Sequence, residues 1–242
     1  GTVFEGNNKL KLVLPCIQQK DLNDNILKEF MAYKLFELIS PYHFKTRLAA
    51  IDYKEKRGDR FKLHQIKGIL IEDIDKTADR YEGKVIERSI HPLTQDGACS
   101  IRNDFFQYMI GNTDYSIAHQ HNQKLLYIDK MIVPIPYDFD MSGLVNASYS
   151  VVPTANGNQL EINNVTQRLF RGYKRDERIY QKIRKEFLDN QMAFFEIVDS
   201  LKSNFSEARE FSKARKFISD FFEILNNDKK FKNEILSKAR TK

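Results

Sequence analysis

The sequence predicts an α+β fold, strand-rich at the front and helical at the rear. Three observations carry this. Lys9 to Leu14, Thr46 to Tyr53 and Phe61 to Glu72 have the alternation and β-branched density of strands. Asn23 to Ile39 repeats apolar residues at helical spacing, and from Asp176 onward the pattern is helical almost throughout. Residues 1–94 are therefore expected to form a strand-rich lobe, and 95–242 a mainly helical one.

Taken in order, Lys9 to Leu14 places Lys9 and Lys11 on one face and Leu10, Leu12 and Leu14 on the other. Two roles suit the lysines: guarding an edge strand, or reaching a phosphate. Asn23 or Asp24 caps the first helix, which carries Glu29 and Glu37 and is stopped by Ser40-Pro41. A Lys-Glu-Lys-Arg-Gly-Asp turn joins the next two strands, and Asp73 to Tyr81 reads as a short helix. Gly83 to Arg88 is extended, and Ile101 to Ile110 is a helix with Gly111 at its exit. Leu125–Ile128 and Val133–Phe139 are short strands, so 111–124 is a loop. Asn156-Gly157-Asn158 marks a turn, and 165–173 an irregular connector bearing Arg168 and Arg171. Helices are expected over 177–201, over 206–225 with Ser206 as cap, and over 229–239.

Composition bounds the function. The chain has 242 residues, 41% of them apolar, with 30% charged and a mean hydropathy of −0.54. That is enough for one large domain or two lobes, and there is no apolar run long enough to span a membrane. The net charge of +6 favours acidic or phosphorylated partners. However, Lys and Arg mostly sit beside Asp and Glu in the helical half, and no compact basic motif points to nucleic acid. Cys16 and Cys99 have neither metal spacing nor a disulfide framework. Gly1 without an initiator Met is expected of a processed or cut chain, which leaves export to the periplasm or exterior open. Asn146, Asn164 and Asn204 head Asn-x-Ser/Thr triplets, relevant only in a eukaryotic secretory route. Oligomeric state is not legible.

Phe105 to Val145 gathers Asp114, His119, His121, Asn122, Asp138 and Asp140 among aromatic and aliphatic residues that anchor a preorganised site. With Asp138 and Asp140 two apart on a strand, both carboxylates share a face, and a hard divalent cation compensates their repulsion. Asn122 adds a neutral oxygen ligand, and Asp114 is placed to accept a proton from an attacking hydroxyl. With a strand lysine (Lys9 or Lys11) and the helix-borne Glu29, these are the groups phosphoryl transfer requires, in the order it requires them.

Asn112-Thr113-Asp114, the later Asn122 and Pro136-Tyr137-Asp138-Phe139-Asp140 resemble segments of the atypical protein-kinase-like families that include the CotH kinases and, more distantly, HipA. The longer strings Phe-Gln-Tyr-Met-Ile-Gly-Asn-Thr-Asp and Tyr-Asp-Phe-Asp-x-Ser-Gly-Leu-Val-Asn-Ala, with Arg168 to Gly172, are similar to uncharacterised Bacteroidetes proteins. The resemblance spans roughly Lys9 to Lys174. It implies a two-lobed kinase-like fold with an incomplete N-terminal β lobe, using ATP and Mg2+ or Mn2+. Asp114 takes the base position, Asn122, Asp138 and Asp140 the metal, and Lys9 or Lys11 the phosphates, with Glu29 as the lysine's partner. Ile69 to Asp73, with Glu72, would meet adenine through its backbone. The phosphate acceptor, a protein or another molecule, is left open. The chain departs from the protein-kinase pattern in the wider spacing of Asp114 and Asn122, in having no Gly-rich phosphate loop, and in Asp-Met-Ser-Gly after Phe139.

Three other readings compete. His119, His121, Asp114, Asp138 and Asp140 are types that suit Zn or Mn in a hydrolase. A kinase-like fold can bind a nucleotide or partner without turnover. The cluster can also be a purely structural polar network.

Overall fold

The computed structural model describes residues 5–6, 9–15, 22–155 and 158–241. It is α+β, built on two three-stranded antiparallel sheets and a helical rear.

The first sheet comprises β1 (Leu10–Val13), β2 (Thr46–Arg57) and β3 (Arg60–Glu72), in the order β1-β3-β2. β1 is thus an edge strand, paired from Leu10 opposite Glu72 to Val13 opposite Ile69. Lys9 lies just before it. The lysine side of β1 faces inward: Val13 packs on the core, while Leu12 and Leu14 are exposed. β2 and β3 run longer than the expected strands and meet at a tight turn where Gly58 takes φ 61°. Between β1 and β2 runs α1 (Leu22–Ile39), which is buried on nearly all sides and packs on β3 through the cluster that includes Ile69 and Ile71.

α2 (Ile74–Arg80) begins at Asp73, whose carboxylate accepts the Asp75 N–H. β4 (Lys84–Ile86) follows. α3 (Gly97–Met109) starts four residues earlier than expected because Asp96 caps it by accepting the Cys99 N–H at 2.8 Å. β5 (Gln123–Ile128) and β6 (Met131–Pro136) complete a second sheet in the order β4-β5-β6. β6 stops at Pro136, which corrects the expectation that Asp138 and Asp140 lie on a strand. Asp138 adopts φ 64°, a left-handed conformation that no strand contains.

A two-residue pair, β7 (Thr154–Ala155) and β8 (Asn158–Gln159), flanks the expected turn; Asn156 and Gly157 lie outside the described residues, as does Cys16. Cys99 is a free thiol.

The rear has α4 (Glu177–Asp189) and α5 (Gln191–Ser200) where one long helix was expected, the break falling at Asn190. α6 (Ala208–Leu225) and α7 (Asp228–Glu234) follow, with the last expected helix ending in a short 3-10 turn at Leu236–Lys238. Phe105 of α3 lies at the centre of the rear core, its ring 5.8–6.1 Å from those of Phe170, Tyr180, Phe187 and Phe231. Ser206 does not cap α6. Asp24 of α1 does so instead, its two carboxylate oxygens accepting the N–H groups of Ser206 (2.8 Å) and Glu207 (3.0 Å). Four residues on, the buried Lys28 donates to Glu210 of α6 at 2.6 Å and to the Val145 carbonyl at 3.1 Å. The front helix is thereby bound to the rear helices. Among the described residues no helix is long and apolar enough to cross a membrane.

Candidate functional site

α3 ends at Met109, and Gly111 turns the chain with φ 62°. The carbonyls of Ile110 and Gly111 accept the N–H groups of Leu144 (2.9 Å) and Gly143 (3.0 Å), so the Asp114 loop and the segment after Asp140 are laced together. Gly143 permits this approach: a Cβ there would stand 2.4 Å from the Val165 carbonyl oxygen.

Asp114 is fixed from several sides. Its N–H donates to Asn112 Oδ1 at 2.9 Å, and Asn112 is itself anchored to Gln107. Asn122 Nδ2 donates to the Asp114 carbonyl at 2.7 Å and to Asp114 Oδ2 at 3.2 Å. Eight residues of separation therefore still bring Asn122 and Asp114 together. His121 Nε2 stands 3.3 Å from Asp114 Oδ1. His119 is exposed, and its backbone N–H donates to Ser116 Oγ at 3.3 Å.

Sequence reasoning noted Arg168 and Arg171 in the connector without giving them a task. Arg171 donates to the carbonyls of Thr113 and Tyr115, on either side of Asp114, with the Tyr115 bond at 2.9 Å. Arg168 holds the last turn of α3 by donating to Tyr108 (3.1 Å) and Met109 (3.1 Å) carbonyls, and lies 3.9 Å over the Phe217 ring. Burial lowers the pKa of both guanidinium groups. Two arginines in a short connector bearing Gly172 were the available signal.

The acidic end is assembled by α1. The Tyr33 hydroxyl accepts the Asp138 N–H at 3.0 Å, and the Tyr33 ring packs 4.7 Å from Phe139, which also meets Phe106 at 5.3 Å. One turn earlier lies Glu29, only 2% exposed, with Oε1 buried and unbonded to any described residue. Its pKa is pushed up to about 8, by burial first and then by Asp140 and Asp138; the Phe139 N–H and the Lys11 ammonium oppose the shift. Asp140 is raised by burial and then by Asp138 and Asp114, against the hydrogen bond it accepts from the Tyr149 hydroxyl at 2.9 Å. Glu29, Asp138 and Asp140 line one hollow of about 70 Å³ beside Val13. Among the described residues no three or more His, Cys, Asp or Glu side chains stand where together they could hold a metal ion. The neighbouring Asp138 and Asp140 carboxylates and the orphaned Glu29 oxygen are oxygen groups of the type hard cations take, whereas Asn122 does not line this hollow.

The two front lysines separate. Lys9 pairs with Asp73 at 2.9 Å. Lys11 places Nζ 5.3 Å from the Tyr137 ring centroid and forms no direct ion pair with Glu29. It lines a cleft of about 290 Å³ with Ile71, Glu72, Asp73, Lys124 and Tyr137. The Glu72 carboxylate is turned to Arg80 (2.6 Å) and the Lys45 N–H (3.1 Å), which hold its pKa down against burial, and its own N–H donates to the Lys45 carbonyl.

Comparison with protein-family models, with curated proteins and with solved structures finds no match.

Proposed function

We propose that the chain is a two-lobed protein-kinase-like protein, of the kind that includes the CotH kinases, which binds ATP with Mg2+ or Mn2+ and transfers a phosphoryl group to an acceptor. The observation that carries this reading is the meeting of Glu29, Asp138 and Asp140 beside β1, whose Lys11 lines the adjoining cleft. Asp138 and Asp140, with the side-chain oxygen Oδ1 of Asn122, would hold the ion. Bound there, it supplies charge neutralisation for the phosphates. Lys11 is the phosphate-contacting lysine in this reading, because Lys9 is engaged by Asp73. Asp114, held by Asn122 and Arg171, accepts or orients the acceptor hydroxyl proton. The base would lie along the Ile69 to Asp73 segment, of which Ile71, Glu72 and Asp73 line the cleft.

A second reading, nucleotide binding without turnover, is favoured by one observation: Lys11 and Glu29 are not ion-paired, whereas a working protein kinase has its lysine–glutamate pair in place. Thermal unfolding with ATP, Mn2+, or both tests the shared claim. The midpoint should rise most with both, and no rise with the pair at millimolar concentration removes both readings. ADP release then separates a transferase from a binder.

A further inference from the structure

Lys124 was not singled out by the sequence, yet it shares an aromatic platform with Lys11. Lys11 comes from β1 of the first sheet and Lys124 from β5 of the second, and their Nζ atoms lie 5.3 and 5.8 Å from the centroid of one ring, Tyr137. That ring is held in place. Phe44 meets it edge-on at 6.2 Å, and the Tyr137 N–H donates to the Asn122 carbonyl at 3.1 Å.

The charges around it are unbalanced. The acids of the cleft are spent elsewhere, Asp73 on Lys9 and the Asp75 N–H, Glu72 on Arg80 and the Lys45 N–H. Neither Lys11 nor Lys124 forms an ion pair with a described residue. Two ammonium groups brought to one ring repel, and a multivalent anion engaging both relieves that repulsion.

We propose that Lys11 and Lys124 form a two-point clamp for a polyphosphate, with Tyr137 as the platform that positions both ammonium groups. The clamp deepens the nucleotide reading, on which it rests only for the identity of the rest of the ligand; the phosphate chain of a nucleotide and free polyphosphate share the chemistry it recognises.

Calorimetry with sodium tripolyphosphate, ATP and adenosine, without metal and again with Mn2+, on the wild type, Lys11→Gln, Lys124→Gln and Asp138→Ala separates the sources. Both lysines are at least partly exposed, so the variants should unfold at the wild-type temperature. Each substitution should weaken tripolyphosphate and ATP about tenfold, the effect of one lost charge-assisted bond, and added salt should erode the wild-type affinity. Wild-type affinity for tripolyphosphate in Lys124→Gln, or no binding of tripolyphosphate by the wild type, overturns the clamp. ATP bound no tighter than tripolyphosphate, with Mn2+ and Asp138→Ala making no difference, removes the nucleotide reading and leaves the clamp standing. Metal-dependent ATP binding that Lys124→Gln does not alter does the reverse.

Discussion

The hydroxyl of Tyr33 accepts the backbone N–H of Asp138 at 3.0 Å. α1 thus braces the residue at which the chain, two positions beyond the end of β6, turns left-handed. Glu29 and Tyr33 lie one turn apart on one side of α1, so any shift of that helix moves the carboxylate cluster and the Asp138 backbone together.

Tyr33→Phe leaves that amide buried without its acceptor while keeping the ring against Phe139. The expected cost is about 1–3 kcal/mol. Urea denaturation measures it, and a midpoint equal to wild type would show that the bond does not brace Asp138.

Arg171 grips both carbonyls that flank Asp114. Both bonds come from the one terminal nitrogen Nη1, and the ammonium of a lysine ends one bond short of that position. Arg171→Lys should loosen the loop locally, so that the Ser116 amide, which donates to the His121 carbonyl at 3.0 Å, exchanges with deuterium about tenfold faster. An unchanged rate would mean that the loop holds itself.

Glu29 makes stability fall as pH rises. Its pKa is 4.5 before folding and about 8 in the folded chain, so across that interval the folded state keeps a proton that the unfolded state has lost. Stability is therefore greatest below about 4.5, declines between 4.5 and 8, and levels off above. Asp104, pushed up to about 7 by burial, acts in the same direction but remains in a Glu29→Gln variant. The difference between wild-type and Glu29→Gln unfolding free energies should thus grow with pH over this interval. Parallel curves would show that Glu29 is ionised in the fold.

Asp24 is 1% exposed and caps a helix nearly two hundred residues away. Asp24→Ala should destabilise by about 2 kcal/mol or more, because two N–H groups lose their acceptor, and Asp24→Asn by less. Equal denaturation midpoints for Ala and Asn would contradict a capping role.

These contacts mark the limit of what was readable in the chain. α1, the β2–β3 pair and α3 were legible because their apolar spacing is a local property, and Gly111 announced the exit of α3. The paired residues Asp114 and Asn122, and the company of Asp138 and Asp140, were legible as types in order. Three things were not. Glu29 was expected as the partner of a lysine, but its burial beside Asp138 and Asp140 was not, because burial of α1 on nearly all sides depends on elements distant in sequence. Asp138 was expected on a strand because Tyr137 to Asp140 continues the alternation of β6; the left-handed turn is stabilised by Tyr33, far away in sequence. Ser206 was expected to cap α6 on residue type alone, whereas the capping oxygens belong to Asp24. Each miss is a case of a tertiary partner overriding a local preference.

The central claim is that the carboxylates brought together by α1 and the segment after β6 bind a divalent cation with a nucleotide. Calorimetric titration of ATP and Mn2+ into the wild type and Asp138→Ala tests it most directly. A metal-dependent isotherm in the wild type that Asp138→Ala abolishes is the predicted result, and equal binding by the two proteins would contradict it.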